Sequence, residues 1–181
     1  ELILGVPTPQ LSVFNAGKME IFGVELEGQW TPVQGLLLDT QIGYLNADYK
    51  EFDDIRFTGF GNSRAFQEPA FAPEWTARFG GQYEWSLNGS GHLQIGANAR
   101  YRSEMSLAVD NTFTNTNVRN GLWSEEYWLY DARAVWQNED RRLSLGIYGQ
   151  NLSDEVYRTE GQEFSSVGSI RTAYYGNPRT W

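Results

Sequence analysis

Residues 73–105 read PEWTARFGGQYEWSLNGSGHLQIGANARYRSEM, and apolar and polar side chains alternate along most of this segment. The alternation pauses at residues 88–91, NGSG, which have the composition of a tight turn. The apolar or small set comprises Trp75, Ala77, Phe79, Gly81, Tyr83, Trp85, Leu87, Leu93, Ile95, Ala97, Ala99 and Tyr101. Because successive side chains on a strand point to opposite faces, the segment predicts a β-hairpin with one apolar and one polar face.

The length of this hairpin indicates what its apolar face contacts. Trp75 and Trp85 lie ten residues apart on that face. This is about 33 Å along a strand, or about 25 Å in height once the strand tilts by about 40°. That height matches the apolar band of a transmembrane β-barrel, which aromatic side chains flank at both water interfaces. A soluble all-β carbohydrate-binding module is the alternative, although strands in soluble proteins are typically only about 5 or 6 residues long.

The same alternation recurs along residues 18–30, 36–49, 127–137 and 143–150. The apolar faces of these segments carry Phe22, Val24, Leu26, Gly28, Trp30, Leu36, Leu38, Thr40, Ile42, Tyr44, Trp128, Tyr130, Ala132, Ala134, Trp136, Leu143, Leu145, Ile147 and Gly149. Residues 1–17 predict a loop with at most a short strand near residues 11–15. The chain is therefore predicted to contain six complete strands, followed by the start of a seventh at residues 177–181.

Short and long connections between the predicted strands alternate strictly along the chain. The short ones are residues 31–35, 88–91 and 138–141, and the long ones are residues 51–72, 106–126 and 158–176. Outer-membrane barrels have short periplasmic turns and longer extracellular loops, which produces this asymmetry. We therefore predict an all-β fold, a fragment of an antiparallel up-and-down transmembrane β-barrel. Since the smallest such barrels need about eight strands, we expect an open, curved sheet.

The composition is compatible with this fold. Aromatic residues make up 15% of the 181 residues and include 7 Trp. The aromatic side chains predicted at the two membrane interfaces are Trp30, Tyr44, Trp75, Trp85, Tyr101, Trp128 and Trp136. No apolar run approaches the length of about 20 residues that a membrane helix needs. The net charge of -9 argues against a nucleic-acid partner, because phosphate binding needs clustered Lys and Arg.

Several short motifs follow one another along the chain. They are Asn15-Ala16-Gly17, Gly23-Val24-Glu25-Leu26-Glu27, Pro69 with Ala72-Pro73-Glu74-Trp75, Gly81-Gln82-Tyr83, Asn151-Leu152-Ser153-Asp154-Glu155-Val156-Tyr157 and Gly176-Asn177-Pro178-Arg179. Their order and spacing resemble the C-terminal barrel region of TonB-dependent outer-membrane receptors across nearly the whole chain. The pattern is most similar to the receptors for iron complexes.

The resemblance implies a receptor in the outer membrane of a Gram-negative bacterium, with a barrel of about 22 strands and an N-terminal plug. Such receptors draw energy from the TonB complex at the inner membrane to import scarce, large nutrients. Ferric siderophores are the commonest cargo, and haem, cobalamin and oligosaccharides are others. The implied partners are a ferric siderophore or similar ligand, the TonB complex through the missing N-terminal region, and outer-membrane lipid and lipopolysaccharide.

The chain departs from the family pattern at its ends. It begins at Glu1 and shows no signal sequence, plug, TonB box or final strand ending in an aromatic residue. Residues 1–181 are therefore expected to form a single partial domain, the C-terminal segment of the barrel without its plug. Such a segment is not expected to transport cargo by itself.

Four arginines are predicted to lie on the polar face: Arg78, Arg100, Arg102 and Arg133. An arginine fork suits carboxylates and anionic chelates, so these residues are candidates for ligand binding. The alternative is that they pair with Glu84, Asp131 or other acids inside the barrel, or dock the plug. Arg102 lies nearest the predicted extracellular rim and is the strongest candidate.

Aromatic side chains in the long loops form a second group of candidates. Phe113 and Trp123, in the loop at residues 106–126, are the two proposed for ligand binding, and Phe57, Phe60 and Phe66, in the loop at residues 51–72, are further candidates. Aromatic rings can stack on a siderophore, but packing within the loops is the preferred interpretation of these residues.

The sequence gives little support for catalysis, a cofactor or a resident metal. His92 is the only histidine and Cys is absent, and no serine or acid is predicted beside His92, so neither a triad nor a zinc site is expected. Asp53 and Asp54 could bind calcium or bridge lipopolysaccharide through divalent ions. A passive porin and an outer-membrane barrel enzyme remain the alternatives to an uptake receptor.

Overall fold

The computed structural model describes residues 2–3, 6–7, 17–53, 65–109, 112–113, 118–119, 121–164 and 170–181. Every regular element in these ranges is a β-strand. The strands are β1 (Leu2–Ile3), β2 (Val6–Pro7), β3 (Gly17–Trp30), β4 (Leu36–Phe52), β5 (Trp75–Ser86), β6 (His92–Arg102), β7 (Met105–Ser106), β8 (Thr112–Phe113), β9 (Val118–Arg119), β10 (Trp123–Ser124), β11 (Tyr127–Gln137), β12 (Ser144–Gly149), β13 (Arg158–Phe164) and β14 (Ile170–Tyr175). No helix in the described part of the chain is long and apolar enough to cross a membrane.

The six predicted strands form one antiparallel sheet in the order β12, β11, β6, β5, β4, β3. These strands are consecutive along the chain apart from the small strands of a long connection, so the topology is up-and-down, as predicted. The sheet is open, with β12 and β3 at its edges. The alternation located the strand ends closely, except that β4 continues past the predicted Tyr49 to Phe52.

The register of the sheet confirms the predicted faces. One row of directly opposed residues crosses five strands and consists of Leu26, Ile42, Ala77, Tyr101 and Trp128. Directly opposed residues share a face, and alternate residues along each strand share it too. The predicted apolar set therefore lines one face of the whole sheet, and the charged residues between them line the other.

The apolar face is exposed. The exposed fraction is 60% for Leu26, 65% for Trp30 and 62% for Ile147. No second layer formed by the described residues covers these side chains, contrary to what a soluble sandwich requires. A face of this kind is expected to contact lipid, because in water it would be a large apolar patch.

Aromatic side chains cluster at both ends of the apolar face. The rings of Tyr44 and Trp75 lie 4.8 Å apart at one end, and those of Tyr83 and Trp85 lie 4.3 Å apart at the other. We define the upper band as Tyr44, Trp75, Tyr101 and Trp128, and the lower band as Trp30, Tyr83, Trp85 and Trp136. That these bands lie at the two membrane interfaces remains a prediction.

Two short turns pack against each other beside the lower band. Gly91 has a φ of +95°, and a Cβ there would collide with the carbonyl oxygen of Gln137. The Gly91 N–H donates to Glu139 Oε2 (3.1 Å), and Trp136 Nε1 donates to the carbonyl of Ser90 (2.9 Å). Glycine at this position therefore allows neighbouring turns to meet at the sheet end.

The long connections contain more regular structure than the sequence predicted. The predicted loop at residues 158–176 contains the antiparallel hairpin β13–β14, and β7 pairs with β10 across the predicted loop at 106–126. A further pair, β1–β2, lies within the predicted loop at residues 1–17, whereas the short strand predicted near residues 11–15 lies outside the described residues. The sequences of these hairpins contain no long alternation of apolar and polar residues, so the two-residue period did not predict them.

Four side chains of one long connection are buried together. Met105, Leu107, Leu122 and Trp123 are only 4%, 1%, 2% and 5% exposed, and we call them the loop core. Arg158 at the start of β13 donates to the carbonyl of Trp123 (3.0 Å), which holds the β13–β14 hairpin beside this core. The connections beyond the upper band thus form a packed layer.

The predicted start of a seventh strand runs beside the end of β12. The N–H of Gln150 donates to the carbonyl of Thr180 (2.9 Å), and the N–H of Thr180 donates back to Gln150 (3.1 Å). This antiparallel bridge is the pairing that a continuing seventh strand would extend.

Candidate functional site

The polar face contains a cleft of about 340 Å³ between β3 and the first residues of β11, and we call it the arginine cleft. Its charged lining consists of Glu25, Glu27, Arg78, Arg100 and Arg102. Each of these residues alternates with an outward apolar neighbour, so the strand period directs them all to this face. The cleft brings together three of the four predicted arginines, while Arg133 lines a neighbouring hollow of about 270 Å³.

Arg78 is held by a carboxylate of the adjacent strand. Its Nη1 donates to Asp39 Oδ2, and the two groups form an ion pair. Gly80 makes room for this contact, because a Cβ at Gly80 would collide with the Asp39 carboxylate. The guanidinium of Arg78 therefore enters the cleft with part of its hydrogen-bonding capacity already used.

Arg100 is held in a similar way from β11. Its Nη2 lies 2.8 Å from Asp131 Oδ2, and the other Asp131 oxygen accepts a hydrogen bond from the N–H of Asn151 (2.9 Å). One carboxylate thus fixes both the arginine side chain and the backbone that follows β12. This arrangement agrees with the alternative that the arginines pair with acids on the same face.

Arg133 donates to a neutral partner. Its Nη2 lies 2.8 Å from Gln82 Oε1, and Gly96 lies directly opposite Arg133 in the register. The guanidinium is therefore positioned across β6 and β5, but it lies in the neighbouring hollow and outside the arginine cleft.

Arg102 has no hydrogen bond or ion pair with any residue that the structure describes. Its guanidinium carbon lies 5.9 Å from the ring centroid of Tyr127. Tyr127 is only 8% exposed and packs on Tyr157 with the ring centroids 4.6 Å apart. A cation over a buried aromatic ring is held in place without losing its N–H donors, so Arg102 offers the cleft its most available donors.

The two aromatic candidates are placed differently. Trp123 belongs to the loop core and is 5% exposed, which fits packing within the loops. Phe113 lies in β8, and its side chain is outside the described residues. Phe57 and Phe60 also lie outside the described residues, so only Phe66, which is half-buried, can be placed.

His92 has partners that the sequence analysis did not expect. Its Nδ1 lies 3.6 Å from Glu84 Oε1, which also accepts a hydrogen bond from Arg141 Nη2 (2.8 Å). Ser86 is directly opposite His92 in the register, yet no hydrogen bond joins them. The expectation that no acid or serine lies beside His92 was therefore wrong, because cross-strand neighbours are distant in sequence. The group still lacks the serine–histidine hydrogen bond of a catalytic triad.

Asn151 supports the site through the carboxylate of Asp131, a role that the sequence analysis did not predict. It is 4% exposed and has a φ of +49°. Its side chain donates to the carbonyls of Glu155 (2.9 Å) and Asn177 (3.0 Å) and accepts from the N–H of Glu155 (2.9 Å). Asn151 belongs to one of the motifs that carry the family resemblance. Its structural role, however, depends on a contact with Asn177, which is 26 residues away in the sequence.

Acidic residues do not converge on a metal site in the described part of the chain. No group of three or more His, Cys, Asp or Glu in those ranges could hold a metal ion. Asp54 lies outside the described residues, so the predicted pair with Asp53 cannot be placed.

Comparison with known proteins identifies relatives along most of the chain. The family model for TonB dependent receptor-like, beta-barrel proteins matches residues 2–152. The probable TonB-dependent receptor BfrD of Bordetella pertussis is 31% identical over 84 residues, covering 45% of this chain and 11% of that protein. The pesticin receptor of Yersinia pestis is 26% identical over 156 residues, covering 86% of this chain and 20% of that protein. The chain thus spans about a fifth or less of the length of these relatives.

The comparison of folds agrees with the comparison of sequences. The crystal structure of the ferric yersiniabactin uptake receptor FyuA from Yersinia pestis superimposes with a TM-score of 0.70 at 23% identity, covering 91% of this chain and 23% of that one. The matched family comprises transport receptors rather than enzymes. From its outward apolar face, its up-and-down topology and the family match, the chain belongs to the TonB-dependent receptor-like β-barrel family of the Gram-negative outer membrane.

Proposed function

We propose that this chain is part of the barrel of a TonB-dependent receptor that takes up an anionic ferric siderophore, with Arg102 contacting the cargo. The observation that carries the proposal is the arginine cleft, in which Arg78 and Arg100 are ion-paired while Arg102 keeps its donors available. The proteins of similar fold support an iron-chelate cargo, since one of them is a ferric yersiniabactin uptake receptor.

The chemistry of the cleft suits a cargo with carboxylate or other oxyanion groups. A guanidinium presents a planar fork of N–H donors that matches such groups. Glu25 and Glu27 line the same cleft as Arg102, and they disfavour a ligand that is anionic over its whole surface. The combination favours a chelate with a localised anionic group near Arg102.

The proposal also includes the source of energy for uptake. Uptake of a large chelate against its gradient requires coupling to the inner membrane, which in this family the TonB complex supplies. We expect that contact to involve parts of the receptor outside the strands described above, so a variant of the arginine cleft should alter binding and leave coupling intact.

The test compares Arg102→Gln with Arg142→Gln in the full-length receptor. Equilibrium binding is measured with radiolabelled ferric yersiniabactin, a ferric catecholate and a ferric hydroxamate. For the complex that binds wild type best, Arg102→Gln is expected to raise the Kd about 10- to 100-fold, because a hydrogen bond to a charged group contributes about 1.5–3 kcal/mol.

Arg142 is a matched control. It lies in the short turn between β11 and β12, is exposed, and makes no hydrogen bond or ion pair with the described residues. An unchanged Kd in Arg102→Gln, or no binding of any of the three complexes to wild type, would overturn the proposal. Deleting residues 107–126 is a less specific test, because it removes most of the loop core.

A further inference from the structure

The lining of the arginine cleft consists of two rows of directly opposed residues on the polar face. The first row crosses from β3 to β11 and consists of Glu25, Gly43, Thr76, Arg102 and Tyr127. The second row lies two residues closer to the lower band and consists of Glu27, Gln41, Arg78, Arg100 and Leu129. The carboxylates of the cleft therefore lie on β3, and its arginines lie on β5 and β6.

The two arginines of the second row are paired on the side of the lower band. Arg78 forms an ion pair with Asp39. Arg100 forms an ion pair with Asp131. Both carboxylates belong to the next row in that direction, which passes through Gly80. The charges of these two arginines are therefore neutralised by partners that lie away from the first row.

Small residues separate the two charged ends of the first row. Gly43 has no side chain, and a Cβ there would lie 2.8 Å from Thr76 Oγ1. Because neighbouring strands lie about 4.8 Å apart, the three strand spacings from Glu25 to Arg102 amount to about 14 Å. The guanidinium of Arg102 lies over the ring of Tyr127, which is on the side of β6 away from β3. The row is therefore open between a carboxylate at one end and a guanidinium at the other.

The carboxylates on β3 are available to a ligand. Glu25 and Glu27 are exposed, and neither forms a hydrogen bond or an ion pair with a residue that the structure describes. Alternate residues on a strand lie about 6.6 Å apart, so one cationic group placed between these two side chains can contact both. Once the paired arginines are set aside, the cleft keeps two carboxylates at one end and the Arg102 guanidinium at the other.

We propose that the arginine cleft binds a dipolar ferric chelate, whose oxyanion contacts Arg102 and whose ammonium group contacts Glu25 and Glu27. This inference rests on the proposed function, because it specifies a second charge on the same cargo. The carboxylates repel a wholly anionic chelate, and Arg102 repels a wholly cationic one. A chelate that carries both charges is attracted at both ends of the cleft and is bound in one orientation.

The experiment measures equilibrium binding of three forms of one linear ferric trihydroxamate to the full-length receptor. The dipolar form carries one carboxylate and one ammonium group. Acetylation of the amine leaves only the carboxylate, and methylation of the carboxylate leaves only the ammonium group. Wild type is expected to bind the dipolar form about fivefold more tightly than the acetylated form, since ion pairs to exposed carboxylates are weak. It should bind the dipolar form at least about tenfold more tightly than the methyl ester, which has no oxyanion for Arg102.

Two variants assign these preferences to their residues. The double variant Glu25→Gln, Glu27→Gln is expected to bind the dipolar and acetylated forms equally. Arg102→Gln should keep the preference for the dipolar form over the acetylated form and lose the preference over the methyl ester. Each result is a ratio of two affinities measured on one variant, so incomplete folding lowers the signal without changing the ratio.

Asp140→Asn is the control for the loss of negative charge. Asp140 is exposed in the short turn between β11 and β12 and forms no hydrogen bond or ion pair with the described residues, so this variant should keep both wild-type ratios.

The inference and the proposed function fail in different measurements. Equal binding of the dipolar and acetylated forms by wild type would contradict the inference, as would a wild-type ratio in the double variant or no binding of the dipolar form to wild type. The proposed function fails instead if Arg102→Gln binds the acetylated form, which carries only the carboxylate, as tightly as wild type does.

Discussion

Large apolar side chains are exposed in the six-stranded sheet, whereas those of the loop core are buried: Leu26 is 60% exposed and Leu107 is 1% exposed. The sheet satisfies its backbone groups by strand pairing and leaves its side chains to the lipid. The loop core instead removes side chains from water, as a soluble domain does. The two regions of the chain are therefore stabilised in different surroundings, the side chains of the sheet in lipid and those of the loop core by their removal from water.

Exposure of a leucine side chain therefore has opposite consequences in the sheet and in the loop core. An exposed leucine below the upper band is in the medium that it prefers, so replacing it by a charge should be costly. A leucine in the loop core is stabilised by its neighbours, so removing part of its side chain should be costly. Substitutions matched for residue type can separate these two cases.

Leu107→Ala is expected to have the largest effect. Truncating a fully buried leucine costs about 2–5 kcal/mol, because apolar contacts are lost and a cavity remains. Hydrogen exchange of the full-length receptor in lipid should show faster exchange at the amides of β7 and β10, with β5 and β6 still protected. Equal acceleration in β5 and β6 would mean that the loop core and the sheet unfold as one unit.

Val109→Ala is the control for that substitution. Val109 belongs to the same connection and is 46% exposed, so its truncation should change exchange free energies by no more than about 0.5 kcal/mol.

Leu26→Arg is expected to have the next largest effect, and it tests the sheet. Leu26 lies midway between Phe22 and Trp30 on the outward face, and an arginine on the lipid face of a barrel costs about 2–4 kcal/mol near the bilayer midplane. The free energy of unfolding of the full-length receptor in phospholipid vesicles, measured by urea titration, should fall by that amount. If Leu26 faced water instead, the change would be within about 0.5 kcal/mol.

Gln29→Arg provides the matched comparison on the same strand. Gln29 lies directly opposite Asp39 on the inward face, so an arginine there stays in polar surroundings beside a carboxylate. Its free energy of unfolding should remain close to wild type, and a loss as large as that of Leu26→Arg would contradict the assignment of the two faces.

The same division explains how much of the fold could be predicted from the sequence. A strand between lipid and water needs an apolar residue at every second position, so β5 and β6 were found by their period alone. The loop core has no such period. Leu107 and Leu122 are brought together by chain reversal, and single-sequence reasoning has no signal for a contact that depends on how a long connection folds.

The candidate site divides in a similar way. The period predicted that Arg78, Arg100 and Arg102 share the polar face, and the register confirms it. The period did not predict which arginines would be paired. Asp39 and Asp131 lie on strands next to those of their arginine partners, so the pairing depends on the register between strands. The availability of Arg102 therefore became visible only once the register was known.

Asn151 joins the two regions, and its substitution is expected to have the smallest of the three effects. Asn151→Gly removes the side-chain hydrogen bonds to Glu155 and Asn177 but tolerates the φ of +49°. Losing these two part-buried hydrogen bonds should cost about 0.5–1.5 kcal/mol each, or about 1–3 kcal/mol together. Hydrogen exchange should accelerate at residues 150–155 and 177–180, while Glu155→Ala, which retains the backbone groups, should behave as wild type.

The spread of this acceleration shows what Asn151 holds in place. The chain passes from Asn151 into the β13–β14 hairpin, so acceleration that spreads into this hairpin but not into β11 would show that Asn151 fixes the loop layer to the sheet. Acceleration in β11 would instead make Asn151 a part of the sheet itself, since Asp131 accepts its N–H.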